Sequence, residues 1–178
     1  MLTRIGKPAP AADAVGALLE CHDRIRGMTS LAVRLGRMEG LPPADVVDAA
    51  TRVHRYFSRA LPLHARDEEE SLIPRLAGRE AELDRALADM AAEHRQHDEP
   101  VGRVVALCAE LIERPERHAE LAPSLADAAH ELEGHFADHL EREERVIFPA
   151  ARRLLAPRDL EHVREEIRAR RGGAEGAH

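Results

Sequence analysis

The chain has 178 residues, enough for one domain with a packed core, and aromatic residues make up only 2% of them. Sheet proteins usually rely on aromatic and β-branched side chains, so this composition favours helices. With a formal net charge of −7 and no apolar run long enough for a membrane span, the sequence predicts neither a nucleic-acid partner nor a membrane protein.

Proline and glycine residues divide the chain into four long stretches and one short stretch with helical apolar periodicity. The predicted helices span residues 11–39, 44–77, 81–113, 123–155 and 157–171. Pro62 and Pro100 are expected to kink or split the second and third helices, because proline lacks a backbone donor. Long helices joined by short connections favour antiparallel packing. We therefore expect an all-α, up-down-up-down four-helix bundle with a short fifth C-terminal helix.

The bundle domain is predicted to span residues 11–171, with a flexible arm at residues 1–10 and a disordered tail at residues 172–178. The arm has neither an apolar stretch nor a cleavage signature, so a cytoplasmic protein is expected. Two cysteines, Cys21 and Cys108, are too few for a disulfide framework or a cysteine-based metal cluster. We expect both to be reduced, structural thiols.

One motif occurs twice, as His-x-x-x-Glu-Glu-x-x-apolar-apolar-Pro, beginning at His64 and again at His139. The offset is constant at 75 residues (139 − 64), and it also relates Glu68 to Glu143. Such a repeat predicts two equivalent helices in a pseudosymmetric bundle. Residues four apart lie on one face of a helix, so each pair can bind one cation and each carboxylate can bridge two cations.

Two further histidines, His22 and His94, lie at matching depth on the first and third predicted helices. Taken singly, a histidine on an apolar stripe is usually a core residue, and a histidine–glutamate pair is usually a surface ion pair. The conjunction of four imidazoles and two carboxylates on four helices instead favours a two-metal site. This mixed ligand set suits iron or manganese better than the thiolate-rich sites that zinc often takes.

These stretches together resemble the hemerythrin-like, HHE cation-binding family over roughly residues 12–171. Within it they are most similar to four-His, two-Glu proteins such as the di-iron domain of the repair of iron centres proteins. The resemblance implies two iron ions with an oxo or hydroxo bridge, manganese or zinc being less expected, and open positions for a small ligand. The implied terminal ligands are His22, His64, His94 and His139, and the implied bridging carboxylates are Glu68 and Glu143.

The chain departs from the family's oxygen carriers, which have His-x-x-x-His on the third helix and an aspartate on the fourth. Here the third helix carries His94-Arg-Gln-His97, and the fourth carries Glu143. Iron-centre repair proteins also have an extra N-terminal domain with a cysteine, whereas only about ten residues precede the first predicted helix. These departures weaken both the carrier function and the repair function as predictions.

Several nearby residues are assigned secondary roles. His97 is a candidate fifth imidazole, and His135 is a candidate for the access channel or for a hydrogen bond behind a ligand. Tyr56 is a candidate hydrogen-bond donor near the metals. Glu69 and Glu144 are expected to be outer carboxylates, one of which could orient a ligand imidazole. Three other histidines are predicted to lie on the surface: His118, His130 and His162.

The leading functional hypothesis is a di-iron protein that binds or reduces O2, NO or peroxide in stress response or iron handling. A peroxidase- or oxidase-type enzyme, a non-catalytic sensor of O2, NO or iron, and a purely structural bundle remain open alternatives. No phosphate-binding loop or nucleophile motif is visible, so any catalysis would depend on the metals. The sequence does not identify a protein partner or the physiological ligand.

Overall fold

The computed structural model describes residues 13–175, and within that range the chain is helical and contains no strand. Helix α1 spans Ala14–Arg37, and α2 consists of the consecutive segments Pro43–Arg55, Tyr56–Ala60, Leu61–Arg66, Asp67–Leu72 and Ile73–Leu76. Helix α3 spans Ala81–Glu113, and a 3₁₀ turn at Pro115–Arg117 follows it. Helix α4 consists of His118–Arg142, Glu143–Ile147 and Phe148–Leu154, and α5 spans Pro157–Glu175.

The four long helices form a closed ring of neighbours, which confirms the predicted all-α bundle. Helix α1 packs against α2 and α4, and α3 packs against the same two helices from the other side. The connections are short, and the first two contain Gly40 and Gly78, whose positive φ values of 65° and 77° allow tight turns after α1 and α2. Helix α5 packs across α1 and α2. Within residues 13–175, no helix is long and apolar enough to cross a bilayer.

Several helix boundaries differ from those predicted. Helix α1 begins at Ala14, where the Asp13 carboxylate accepts a hydrogen bond from the Gly16 amide at 2.6 Å. Helix α4 begins five residues before Pro123, which lies inside it, because burial of Leu121 on the core side outweighs the helix-breaking tendency of proline.

Helix α3 stays α-helical through Pro100, which is buried, so this proline does not split the helix.

The chain termini lie only partly within the described residues. Helix α5 continues to Glu175, so it includes the first four residues of the predicted tail. The predicted arm at residues 1–10 and the last three residues of the tail lie outside the described range.

Three short π-helical segments interrupt α2 and α4, and each ends two residues before a proline. In each segment the amide of the residue preceding the proline bonds a carbonyl five positions back: Leu61 to Tyr56, Ile73 to Glu68 and Phe148 to Glu143. Because proline supplies no amide to the ladder, the hydrogen-bond register can shift by one residue there. The prediction that α2 is interrupted near Pro62 is therefore correct in position, and the interruption is a π turn.

Two apolar clusters fill the bundle, one towards each end. The first includes Ile25, Phe57 and Leu132, and the second includes Leu18, Leu72 and Phe148. The residues between them along the helices are polar and buried: His22 lies between Leu18 and Ile25 on α1. The fold thus encloses a polar layer between two apolar layers, and burying such groups is costly unless they are partnered.

Close packing of α1 on α4 depends on Gly36. A Cβ at this position would lie 2.5 Å from the Ala126 backbone nitrogen and 2.9 Å from the Ala122 carbonyl oxygen, and neither backbone atom can move away easily. We expect Gly36→Ala to destabilise the protein by about 2 kcal/mol, as overpacking of a well-filled interface does. Chemical denaturation measures this change.

Gly27→Ala, on the same helix, is the matched control, since an added Cβ there meets nothing within 4 Å. That substitution should leave stability unchanged or raise it by up to about 1 kcal/mol, because alanine is the better helix former. Equal effects at both positions would mean that the backbone contact at Gly36 does not limit packing.

Candidate metal centre

The polar layer contains all six residues predicted to be ligands. Each long helix contributes to it: His22 from α1, His64 and Glu68 from α2, His94 from α3, and His139 and Glu143 from α4. Five of the side chains are almost completely buried, and that of His94 is 9% exposed. Both glutamates lie in the π segments, so the shift in backbone register helps to set where their carboxylates point.

The first half of the cluster lies between α1 and α2. His22 Nε2 is 3.0 Å from Glu143 Oε2 and 3.9 Å from Glu68 Oε1. His64 Nε2 is 3.5 Å from the same Glu68 oxygen, Oε1. Two imidazole nitrogens and one oxygen from each carboxylate therefore converge on one point, and ligand atoms of these four residues lie within 4.8 Å of one another.

The second half lies between α3 and α4 and uses the other carboxylate oxygens. His94 Nε2 is 3.4 Å from Glu68 Oε2 and 3.9 Å from Glu143 Oε1. His139 Nε2 is 3.1 Å from that same Glu143 oxygen. These four residues form a second group whose ligand atoms lie within 4.8 Å of one another. Each carboxylate thus presents one oxygen to each half.

Buried polar atoms that have no hydrogen-bond partner indicate whether cations would fit in the cluster. Buried atoms without a hydrogen-bond partner, within the described part of the chain, include both oxygens of Glu68 and Glu143 and the Nε2 atoms of His22, His64 and His94. A buried polar atom without a partner costs free energy, and so many converging on two points is exceptional. Cations at the two points would provide partners for all of these atoms, so the residues fit a two-metal centre.

The electrostatics of the cluster favour added positive charge. Although burial lowers it, the carboxylates of Glu143 and Glu68 raise the pKa of His22 to about 10, and the Glu68 carboxylate raises the pKa of His94 to about 9. Burial and the negative charge of Glu68 raise the pKa of Glu143. Burial lowers the pKa of His64 and His139, so only two of the four imidazoles have a raised pKa.

Three carboxylates outside the cluster fix three of the imidazoles through Nδ1. Glu144 Oε1 lies 2.8 Å from His22 Nδ1, Glu69 Oε1 lies 2.8 Å from His94 Nδ1, and Glu93 Oε2 lies 2.9 Å from His139 Nδ1. Such bonds leave Nε2 free to face a metal. The predicted outer role of Glu69 and Glu144 is confirmed.

The role of Glu93 was missed by sequence reasoning. Its carboxylate joins α3 to α4, where it also pairs with Arg142. Helical spacing within one segment gives no signal for a contact of this kind. His64 differs from the other three imidazoles, because its Nδ1 has no hydrogen-bond partner among the described residues.

We expect Glu144→Ala to weaken metal binding by about 10- to 100-fold while the number of ions at saturation stays the same. The substitution removes the carboxylate that orients the His22 ring and that also pairs with Arg26 at 2.9 Å. Competition against a chelator measures the affinity. The control is Glu141→Ala, whose exposed side chain contacts Arg145 on the outer face of α4. Wild-type affinity in both variants would contradict the orienting role.

The three residues that were assigned secondary roles near the metals, His97, His135 and Tyr56, belong to neither group of converging ligand atoms. The His97 ring is buried, with its centroid 4.8 Å from that of His139, but it belongs to neither group of converging ligand atoms. Burial lowers the pKa of His97 to about 3. The His135 ring lies 5.9 Å from that of His97, farther from the centre. The Tyr56 hydroxyl donates to the Cys21 carbonyl at 3.3 Å and makes no hydrogen bond to any of the six proposed ligand side chains.

The predicted surface histidines are only partly correct. His130 and His162 are exposed, but His118 is buried and its Nε2 donates to the Leu35 carbonyl oxygen at 2.8 Å. The prediction for His118 was wrong because its acceptor lies on a different helix. Both cysteines are free and buried, as predicted.

A cavity of about 330 Å³ leads from the surface to the cluster. His64, His94, His97 and His139 lie along its inner wall, and exposed residues such as Arg66 and Asp98 lie along its outer part. The apolar residues of its lining include Ile25, Phe57, Leu61, Val101 and Phe136. A small ligand could therefore reach the α2–α3 side of the cluster through a partly apolar passage.

Comparison with known proteins agrees with this geometry. The family model described as hemerythrin HHE cation binding domain matches residues 13–151, which include all six predicted ligands. A comparison with curated proteins gives no match. The family match ends before α5, so the last helix is described by this chain's structure alone.

Proposed function

We propose that this chain, which belongs to the hemerythrin HHE cation-binding domain family, is a non-haem protein that holds two iron ions and binds or reduces a small redox ligand. The candidate ligands are O2, NO and peroxide, and the biological setting is stress response or iron handling. One ion would be held by His22 and His64, and the other by His94 and His139. Glu68 and Glu143 would bridge the two.

The observation that supports this proposal best is the division of the carboxylate oxygens. Glu68 directs Oε1 towards His22 and His64, and Oε2 towards His94. Glu143 directs Oε1 towards His139 and Oε2 towards His22. Two carboxylates oriented in opposite ways across two pairs of imidazoles suit two cations side by side, as in other carboxylate-bridged bundles.

The donor atoms support iron as the metal. The cluster contains only imidazole nitrogens and carboxylate oxygens, and the nearest cysteine in sequence, Cys21, belongs to neither group. Mixed nitrogen and oxygen ligation without thiolate suits iron, with manganese as the closest competitor, whereas structural zinc sites often include cysteine. Metal analysis distinguishes these ions directly.

When bound, iron ions would supply redox chemistry and exchangeable coordination positions for a small ligand. The protein residues then set the conditions. Glu144, Glu69 and Glu93 hold three imidazoles in a fixed orientation, and the two buried glutamates offset positive charge. The cavity has a volume of about 330 Å³ and a partly apolar lining, which suits a small molecule better than a large reductant.

The test is metal analysis together with optical spectra of the purified protein, with and without O2, NO and peroxide. We expect about two irons per chain, as in related carboxylate bundles, and absorption that changes when a ligand is added. Only substoichiometric metal, or iron whose spectrum responds to none of these ligands, would contradict the proposal. Turnover of peroxide that disappears in His64→Ala would show that the protein is an enzyme, and ligand binding without turnover would support a carrier or sensor.

His97 provides a sharper test of the cavity as the place where the small ligand binds. It is buried beside His139 in the cavity wall, yet it is not one of the six proposed ligands. We expect His97→Leu to retain the wild-type iron content but to weaken the response to peroxide by about tenfold, the effect of losing one hydrogen bond to a bound ligand. Loss of iron in this variant would instead make His97 a ligand. A wild-type response would contradict a role in the cavity.

A further inference from the structure

A second cleft lies on the opposite side of α2 from the metal-centre cavity, and the two share no lining residue. Its volume is about 530 Å³, and α1, α2 and α5 form its walls. Within residues 13–175 its lining contains no acidic side chain. Half of the lining residues are arginines: Arg24, Arg52, Arg55, Arg59 and Arg171.

A single surface arginine indicates no function in a chain whose only lysine is Lys7. The concentration of five arginines in one cleft is the unusual feature. Arg52, Arg55 and Arg59 follow one another along one side of α2, at spacings of three and four residues. Like charges at these spacings repel one another and destabilise a helix. Arg24 and Arg171 add positive charge from the neighbouring helices.

Nearby acidic groups offset only part of this charge. Arg24 pairs with Glu20 at 3.4 Å and Arg52 with Asp48 at 3.7 Å, in both cases along an exposed helix face. Arg171 Nη2 lies 2.7 Å from Oδ2 of Asp67, which is buried and does not line the cleft. Arg55 and Arg59 form no ion pair with any described residue. A net negative chain therefore keeps unneutralised guanidinium groups in a concave site, and functional sites are where such local costs are expected.

We propose that this cleft binds a small molecule that carries phosphate groups. Guanidinium groups bind phosphate oxygens through paired, charge-assisted hydrogen bonds, and several of them around one cavity match a multiply charged anion. The volume lies within the range of small-molecule sites. The floor offers a further polar group, Tyr56, and apolar surface from Met28 and Leu63 for the rest of the ligand.

The cleft includes part of α5, which lies beyond the family match at residues 13–151. Residues at or next to the cleft are also close in sequence to two of the proposed metal ligands. Cys21, which contacts Arg171 at 3.4 Å, precedes His22, and Asp67 precedes Glu68. A ligand held by Arg171 would therefore lie beside Cys21, which precedes His22, and would be separated by one ion pair from Asp67, which precedes Glu68.

The test is calorimetric titration of the iron-loaded protein with inorganic phosphate at constant ionic strength. We expect saturable binding that Arg55→Ala/Arg59→Ala weakens by about tenfold or more, because charge-assisted hydrogen bonds are lost. Both side chains are exposed, so the double variant should keep wild-type helicity and iron content. Arg85→Ala is the control, since this exposed arginine on α3 lies outside the cleft.

Three outcomes would overturn the proposal. The first is the absence of saturable binding by the wild-type protein. The second is an unchanged affinity in the double variant, which would place the phosphate at the metal centre or elsewhere. The third is tighter binding of a single-stranded oligonucleotide that competes with phosphate, which would make the arginines part of a nucleic-acid surface. The proposed di-iron function does not depend on any of these results.

Discussion

Replacing both Glu68 and Glu143 by glutamine should lower the iron content from about two ions per chain to almost none. The two side chains are fully buried, and their four oxygens are the atoms that face both halves of the cluster. Glutamine has nearly the same volume but no charge, and its single carbonyl oxygen cannot bridge two cations. Metal analysis after iron loading measures this loss.

The same variant should lose the stabilisation that metal provides. A ligand that binds only the folded state stabilises it by RT ln(1 + [L]/Kd) and so raises the melting temperature. Wild-type protein should therefore melt at a higher temperature with iron than without it, and the variant should melt at one temperature in both conditions. Circular dichroism of the metal-free variant should show wild-type helix content, because the apolar clusters on either side of the polar layer are unchanged.

The matched control is Glu70→Gln/Glu141→Gln. These exposed residues lie on α2 and α4, two positions away from the proposed bridging glutamates. Glu141 contacts the exposed Arg145, and Glu70 contacts the exposed Arg66 and, at 3.3 Å, also Arg170. The control removes the same amount of charge from the same helices and should bind iron as the wild type does. If the Glu68/Glu143 variant also retains iron, the two carboxylates are not the bridging groups and the proposed site is wrong.

The parts of the fold that depend on periodicity within one helix were predictable. The 75-residue repeat identified α2 and α4 as equivalent, and the family match confirms the resemblance that these motifs suggested. His22 and His94 could be placed beside the repeat because each lies on an apolar stripe at matching depth. The structure brings all six predicted residues into one layer, although their role as ligands remains a proposal.

What could not be predicted depends on contacts between helices. Glu93 reaches His139 across α3 and α4, and His118 is buried because the Leu35 carbonyl on α1 accepts its hydrogen bond. The sequence around His118 is polar, so nothing local indicates burial. The π turns are an intermediate case. The proline six residues after Glu68 and after Glu143 was a visible signal, but a register shift depends on how each helix packs.

Arg170 on α5 should be essential for stability, because it neutralises a carboxylate next to the metal centre. Asp67 is fully buried and precedes Glu68. Arg170 donates to Asp67 at 2.8 Å and to the Ser71 hydroxyl at 2.7 Å, while Arg171 lies 2.7 Å from the other Asp67 oxygen. Burial raises the pKa of Asp67, and the two guanidinium groups offset only part of this cost. Removing one of them leaves a buried charge undercompensated.

We therefore expect Arg170→Ala to destabilise the metal-free protein by about 3 kcal/mol, the lower end of the cost of breaking a buried ion pair. Arg168→Ala, at an exposed position on the same helix, should change stability by less than about 0.5 kcal/mol. Asp67→Asn in the Arg170→Ala background should recover part of the loss, because it removes the charge that lacks a partner. Denaturant unfolding of the wild type, Arg170→Ala, Asp67→Asn and the double variant measures the coupling.

The pattern of recovery decides between two roles for α5. If the loss in Arg170→Ala comes only from missing helix packing, Asp67→Asn will add to it rather than relieve it. If the loss comes from the buried carboxylate, the double variant will be more stable than Arg170→Ala alone. The second result is expected, since Asp67 lies in the π segment that positions Glu68. Helix α5 then stabilises the proposed metal site by compensating charge beneath it, although it lies outside the family's matched region.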